Sequence, residues 1–174
     1  MQFAKDSFFL ALQDRLAGLN PARTVTLNGV TVPAVVVSEN LPPSFMEPEP
    51  DTFYIEWGEA DVVGRQAGRG TLMSLDVVIS YYTTGSVASM VDRGRVLAQL
   101  DNELLNICQP PNTGKRNYTV SPSADLGTSV FWGQPSFKEQ ARGRIASVEE
   151  SNQDGLAERK VKLTMYFFSE ETAS

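Results

Sequence analysis

Histidine is absent from the 174-residue chain, and cysteine occurs once, at Cys108. The first absence removes the Ser–His–Asp and Cys–His nucleophile pairs. It also removes histidine zinc ligands and the side chain that ordinarily moves protons near neutral pH. The common hydrolases and oxidoreductases are thereby largely excluded, and the chain reads as a non-enzyme. One cysteine excludes an internal disulfide and fits a reducing compartment. No apolar run approaches the roughly 18 residues that span a bilayer, so no membrane partner is expected. The opening "MQFAKDSFFLALQDRL" is interrupted by Gln13, Asp14 and Arg15 and is followed by no small-residue cleavage site. It reads as an amphipathic helix and not as a leader.

A basic excess is also missing. The chain has 15 Lys and Arg against 21 Asp and Glu, a net charge of −6. Residues 1–87 hold 5 basic and 10 acidic side chains, and residues 88–174 hold 10 and 11. Neither half has the cationic surplus that attracts a phosphate backbone, so generic nucleic-acid binding is not expected. An acidic surface repels DNA.

What is present divides into helical and strand patterns. Phe9, Leu12, Leu16 and Leu19, with Phe8 beside them, predict a helix over residues 6–19. Asp6 or Ser7 is its candidate cap, and Gly18 with Asn20-Pro21 ends it. In "RTVTLNGVTVPAVVVSE", Asn28-Gly29 suits the positive φ of a type I′ turn between two β-rich runs. Pro33 lacks an amide donor, so the second arm should run at a sheet edge or leave the ladder. Four prolines between Leu41 and Thr52 mark an extended connector, with a docking peptide as the alternative.

"FYIEW" and Thr71–Thr83 predict the two strands of a long hairpin with a glycine-rich tip. Both faces of the second strand carry apolar residues and should be at least partly covered. Ser89 is the candidate cap of a helix from Met90 to about Cys108, with Val96, Leu97, Leu100, Leu104, Ile107 and Cys108 as its stripe. Gln109-Pro110-Pro111 stops it. Cys108 lies on the stripe and reads as a small core residue. "NTGKRNYTVSPSADLGTS" reads as a loop holding a short strand at Asn117–Val120. Val130–Gly133, residues 143–150 and residues 159–168 read as strands. The last alternates Val161, Leu163, Met165 and Phe167 with Lys160, Lys162, Thr164 and Tyr166. The order gives an α+β fold: one mixed or antiparallel β-sheet, two main helices on one face, and a long hairpin arm. A single domain over residues 1–174 is expected, with a flexible arm near 58–70 and a frayed end at 169–174.

Candidate sites are few. "GRQAGRG" at Gly64–Gly70 lacks the lysine and the following helix of a phosphate loop. It reads as a hairpin tip whose Arg65 and Arg69 either meet carboxylates on a partner or stand in solvent. Glu56, Glu59 and Asp61 could hold Mg2+ or Ca2+, or supply an acid and a base. They define the rival reading, a metal-dependent hydrolase, although no EF-hand pattern is present. "GKR" places Lys115 and Arg116 where they either contact a neighbouring subunit's acidic surface or lie in a solvated loop. Trp57 and Trp132 read as core or interface residues. No cofactor site is recognisable.

The whole layout resembles the phage tail terminator family, the ring-forming proteins that cap the tail tube of long-tailed phages. The resemblance is carried by "NPARTVTLNGVTVPAVVVSEN" after the opening helix and by "FYIEWGEA" facing "SLDVVISYYTTG" across the glycine-rich arm. "GRVLAQLDNELLNICQPP" and the closing "KVKLTMYFF" complete it. It implies a homohexameric ring that ends tube polymerisation, with the tail tube protein and the head-side connector or neck protein as partners. It implies a virion location at the head-proximal end of the tail, after assembly in the host bacterial cytoplasm. DNA would pass through the channel without specific binding. The family has no catalytic residues to transfer. Other neck, tail-completion or baseplate proteins remain the nearest alternatives.

Overall fold

The computed structural model describes residues 1–41, 48–66, 70–85, 90–138 and 157–169. Helix α1 (Gln2–Leu19) is followed by β1 (Thr24–Leu27), β2 (Val30–Pro33), β3 (Val35–Val37) and one 3-10 turn at Ser38–Asn40. The long strands β4 (Phe53–Gln66) and β5 (Gly70–Thr83) come next, then α2 (Met90–Ile107). Strands β6 (Asn112–Asn117), β7 (Ala124–Trp132), β8 (Ser136–Lys138) and β9 (Ala157–Phe168) complete the fold.

The fold is α+β. Strands β1 and β2 form their own two-stranded ribbon, with Asn28 and Gly29 at positive φ in the turn. Pro33 ends that ribbon opposite Thr24, and so costs no donor to the main sheet. The main sheet runs β3-β4-β5-β9-β7-β6, with β8 on β9. Only β3–β4 is parallel among its pairs, which makes the sheet mixed.

One face of the sheet is the core. Phe53, Ile55, Leu75, Val77, Ile79, Tyr81, Val130, Trp132, Val161, Leu163, Met165 and Phe167 are buried on it. The period-2 pattern of β5 and β9 therefore resolves into an inner odd-numbered set and an outer even-numbered set. Ala4, Phe8, Leu12 and Leu16 of α1, spaced by four, are buried against it, as are Leu97, Leu100, Leu104 and Ile107 of α2. Phe8 meets Trp57 and Trp132 edge-on, with ring centroids 6.1 and 5.0 Å away. Tyr81 donates its hydroxyl proton to Asp101 of α2, and Arg159 pairs with the other oxygen of Asp101 at 3.1 Å.

Helix α1 also closes the two ends of the sheet. Gln13 Nε2 donates to the carbonyl of Val35 on β3 at 3.0 Å. At the far end, the Arg116 N–H of β6 donates to Ser7 Oγ at 2.9 Å, and Arg15 donates to the carbonyl of Asn112 at 2.8 Å. A flat six-strand path would hold β3 and β6 about 24 Å apart at roughly 4.8 Å per strand. One helix reaches both because the sheet curls around it.

Three expectations are corrected. Ser7 does not cap α1: the helix starts at Gln2, and Ser7 lies buried inside it, donating to the carbonyl of Phe3. The polar stretch after α2 is a hairpin, β6–β7, whose first strand ends at Asn117 where the short strand was expected to start. Leu19 is exposed and does not extend the apolar stripe of α1. Ser89, Arg69 and residues 143–150 lie outside the described residues.

Candidate assembly surface

The hairpin β4–β5 is long because both strands are rich in β-branched and aromatic residues and neither contains proline. Two bulges interrupt it, between Trp57 and Ala60 and between Val62 and Gly64. Gly58 sits in the first, where an added Cβ would come within 3.1 Å of Asp76 Cβ and 3.2 Å of its carbonyl oxygen. Glycine suits this close approach, since any side chain here would push Asp76 back by a few tenths of an ångström. The bulges carry β4 beyond the core, so that Val62 and Val63 stand 64% and 53% exposed.

The arm is the sheet's own margin. Strand β9 backs β5 from Thr83 to Leu72, and the Ser169 N–H donates to the carbonyl of Thr71 at 2.7 Å. On the outer side, β3 pairs with β4 only from Phe53 to Ile55. Among the described residues no strand pairs with the outer edge of β4 from Glu56 to Gln66. Strand β8 likewise pairs only with β9 among them. The edges of β3 and β6 are those that α1 covers. An open edge presents a row of main-chain donors and acceptors, which is a template for another chain.

The sequence-predicted residues are dispersed across this frame. Arg65 is exposed on β4, opposite Thr71 in register. Glu56, Glu59 and Asp61 are exposed along β4, and no group of three acidic, histidine or cysteine side chains among the described residues is arranged to hold a metal ion. Lys115 is 3% exposed, and its ammonium donates to the carbonyl of Phe168 at 2.8 Å. Arg116 turns back onto its own hairpin, donating to Ser123 Oγ at 3.0 Å and to the Ser123 carbonyl at 2.6 Å. These two cations join β6 to β9 and to the β6–β7 turn, and neither joins Arg65.

Cys108 follows α2 in the core, where burial pushes its thiol up to about 12 against a smaller opposing pull from Arg15. At that value the thiolate is scarce at neutral pH, so the group is chemically quiet. Trp132 Nε1 donates to the Cys108 carbonyl at 2.9 Å, while the Arg15 guanidinium lies 5.3 Å from the Trp132 ring centroid.

Sequence reasoning missed the edge of β8 that no other described strand pairs with, and the lysine row beside it. The alternation of Lys160 and Lys162 with Val161 and Leu163 was the available signal. It placed the lysines on one face of β9 without showing that Lys162 is exposed there and Lys160 partly so. No helix among the described residues is long and apolar enough to cross a membrane.

No family model matches the chain, and no curated protein does. Among solved structures, a chain from the virion of a native gene transfer agent particle is similar over 94% of this chain and 95% of its own. The identity is 16% and the TM-score 0.36.

Proposed function

We propose that the chain is a structural subunit of a phage tail or related injection machine, working by self-association and without catalysis. In this reading it forms a ring, a hexamer by resemblance, that caps the tail tube, ends tube polymerisation and joins the tube to the head-side connector. The single observation that supports it best is the outer edge of β4 beyond Ile55, with which no described strand pairs and along which Val62 and Val63 are exposed. Main chain bonded only to water is a template that another strand can pair with, and such pairing also covers the exposed apolar side chains. Arg65 and Arg69 belong to this margin in the proposal. Lys115 and Arg116 are assigned to internal ties, because an interface contact by Lys115 would first have to break its bond to Phe168. A different neck, tail-completion or baseplate role uses the same surfaces. The metal-dependent hydrolase reading finds no support in the placement of Glu56, Glu59 and Asp61.

The test is assembly. Purified chain is imaged by electron microscopy alone and after mixing with a polymerising tail tube protein. Rings, and tubes whose growth stops when the chain is added, are the expected outcome. A monomer at all concentrations that leaves tube growth unchanged overturns the proposal.

A further inference from the structure

Both described helices bury their apolar stripes on the inner face of the sheet. The outer face still carries large apolar side chains at its end toward the arm. Tyr166 of β9 and Phe131 of β7 are cross-strand partners there, 39% and 49% exposed. Phe168, two residues along β9, lies opposite Leu72 of β5, and both are partly buried. The strip continues along β5 and β9 through the short polar side chains of Ser74 and Thr164 to Asp76. Asp76 is exposed and accepts from the Thr164 hydroxyl at 2.9 Å.

The other side of the molecule is the outer face of α2. Its exposed residues from Ala98 to Asn106 are Ala98, Gln99, Asn102, Leu105 and Asn106, none of them charged. The charges of this stretch are engaged within the subunit: Asp101 with Tyr81 and Arg159, Glu103 with Asn20 and Arg23. Leu105 is 38% exposed, and Arg95 is exposed on the same face ten residues earlier. Interface centres are depleted of charge, and aromatic residues and Arg are enriched in them. One subunit therefore presents an aromatic face on one side and a charge-poor face with a single Arg on the other.

We infer that the outer face of α2 in one copy packs along β5 and β9 on the outer sheet face of a second copy, so that helix and sheet layers alternate from subunit to subunit. This rests on the self-association reading and specifies its contact. The spacings agree. Arg95 and Leu105 are about 15 Å apart along α2 at 1.5 Å per residue. Asp76 and Leu72 are about 13 Å apart along β5 at roughly 3.3 Å per residue. Leu105 seated beside Leu72, Phe168 and Tyr166 therefore brings Arg95 to Asp76, and Glu56 and Glu59 are exposed on the adjoining strand. Lys162, opposite Val78, lies just beyond Asp76 and opposes Arg95, but the three carboxylates outnumber it. Between the two anchors Ala98 and Asn102 pass over Ser74 and Thr164, whose short side chains let the helix approach. The two faces are different surfaces, so the contact is heterologous, the kind that closes into a ring. It also leaves the outer edge of β4 to other contacts of the assembly.

Cross-linking tests the seat. The assembled double variant L105C/Y166C is treated with a short bismaleimide and compared with L105C, Y166C and the wild-type chain, whose Cys108 is buried. Positions 105 and 166 lie on opposite sides of one subunit, so a link joins two copies. The double variant is expected to give a ladder of dimers, trimers and larger species, and each single variant no more than wild type. Circular dichroism should be unchanged, because both side chains are exposed. A second measurement needs no cysteine: R95E is expected to weaken self-association by about tenfold or more in sedimentation velocity, and by less in a D76N background. Linked dimers from L105C alone mean α2 on α2, and from Y166C alone sheet on sheet. Either overturns the inference, as does an assembled double variant without a ladder or an R95E chain that assembles like wild type. All of these leave the self-association reading in place. A wild-type chain that stays monomeric at every concentration overturns both.

Discussion

Ser7, in the middle of α1, accepts the main-chain N–H of Arg116 at 2.9 Å, so a helix side chain completes the hydrogen bonding of the outermost strand. The same hydroxyl donates to the Phe3 carbonyl at 2.6 Å, which leaves it fixed in place. Ser7→Ala removes the acceptor and strands the Arg116 amide. The expected loss is about 1–3 kcal/mol of unfolding free energy, read from the urea midpoint. A midpoint equal to wild type would show that the edge is satisfied by other means.

Lys115→Ala tests whether that lysine works inside the subunit. Its charged hydrogen bond to Phe168 ties β6 to the end of β9. Removal is expected to cost about 1.5–3 kcal/mol in urea, with self-association of the still-folded protein unchanged. Normal stability together with lost assembly would return Lys115 to an interface role.

Stability should fall in alkali. Burial raises the Cys108 thiol from 9.0 to about 12, and burial, followed by the bond to Asp101, raises the Tyr81 hydroxyl above its ordinary 10.0. Above about pH 9 the unfolded chain releases protons that the folded chain keeps. Stabilisation present at neutral pH is therefore lost as the pH climbs from about 9 toward 12. Thermal unfolding between pH 7 and 11 should show a plateau and then a decline, and Tyr81→Phe should flatten the decline. At pH 8 the Cys108 thiol should react with an alkylating reagent only after unfolding.

Replacing residues 64–70 with a short Gly-Ser turn should leave the fold intact and weaken assembly, because the last core row, Met73 with Phe167, lies opposite Val62 and inward of the replaced residues. Val62→Asp should act in the same direction, with less than about 0.5 kcal/mol effect on stability, since its side chain is largely in solvent. Size-exclusion chromatography with thermal unfolding separates the two effects. Unfolding or aggregation of the shortened chain would mean that the arm belongs to the core.

Strong periodicity made much of this architecture legible. The apolar stripe of α2, the Asn28-Gly29 turn and the alternation in β9 are local patterns, and each produced the element it signalled. The β6–β7 hairpin had no such pattern, because "NTGKRN" is polar and contains glycine. It is a strand because α1 supplies partners for its outer edge and β7 for its inner one, a tertiary cause that no short window displays. The same limit explains Lys115. A lysine in a polar run reads as solvated until the strand that buries it, and the carbonyl of Phe168 that receives its proton, are both in place.

The clasp formed by α1 sets a timetable. Ser7 and Arg116 are 109 positions apart in the chain. At roughly 5–20 residues per second, a ribosome takes about 5–20 s to travel from one to the other. Throughout that interval and until β7 and β9 follow, Phe8 and Leu12 lack the full pocket that receives them, which would make the nascent chain a client for chaperones that bind hydrophobic segments.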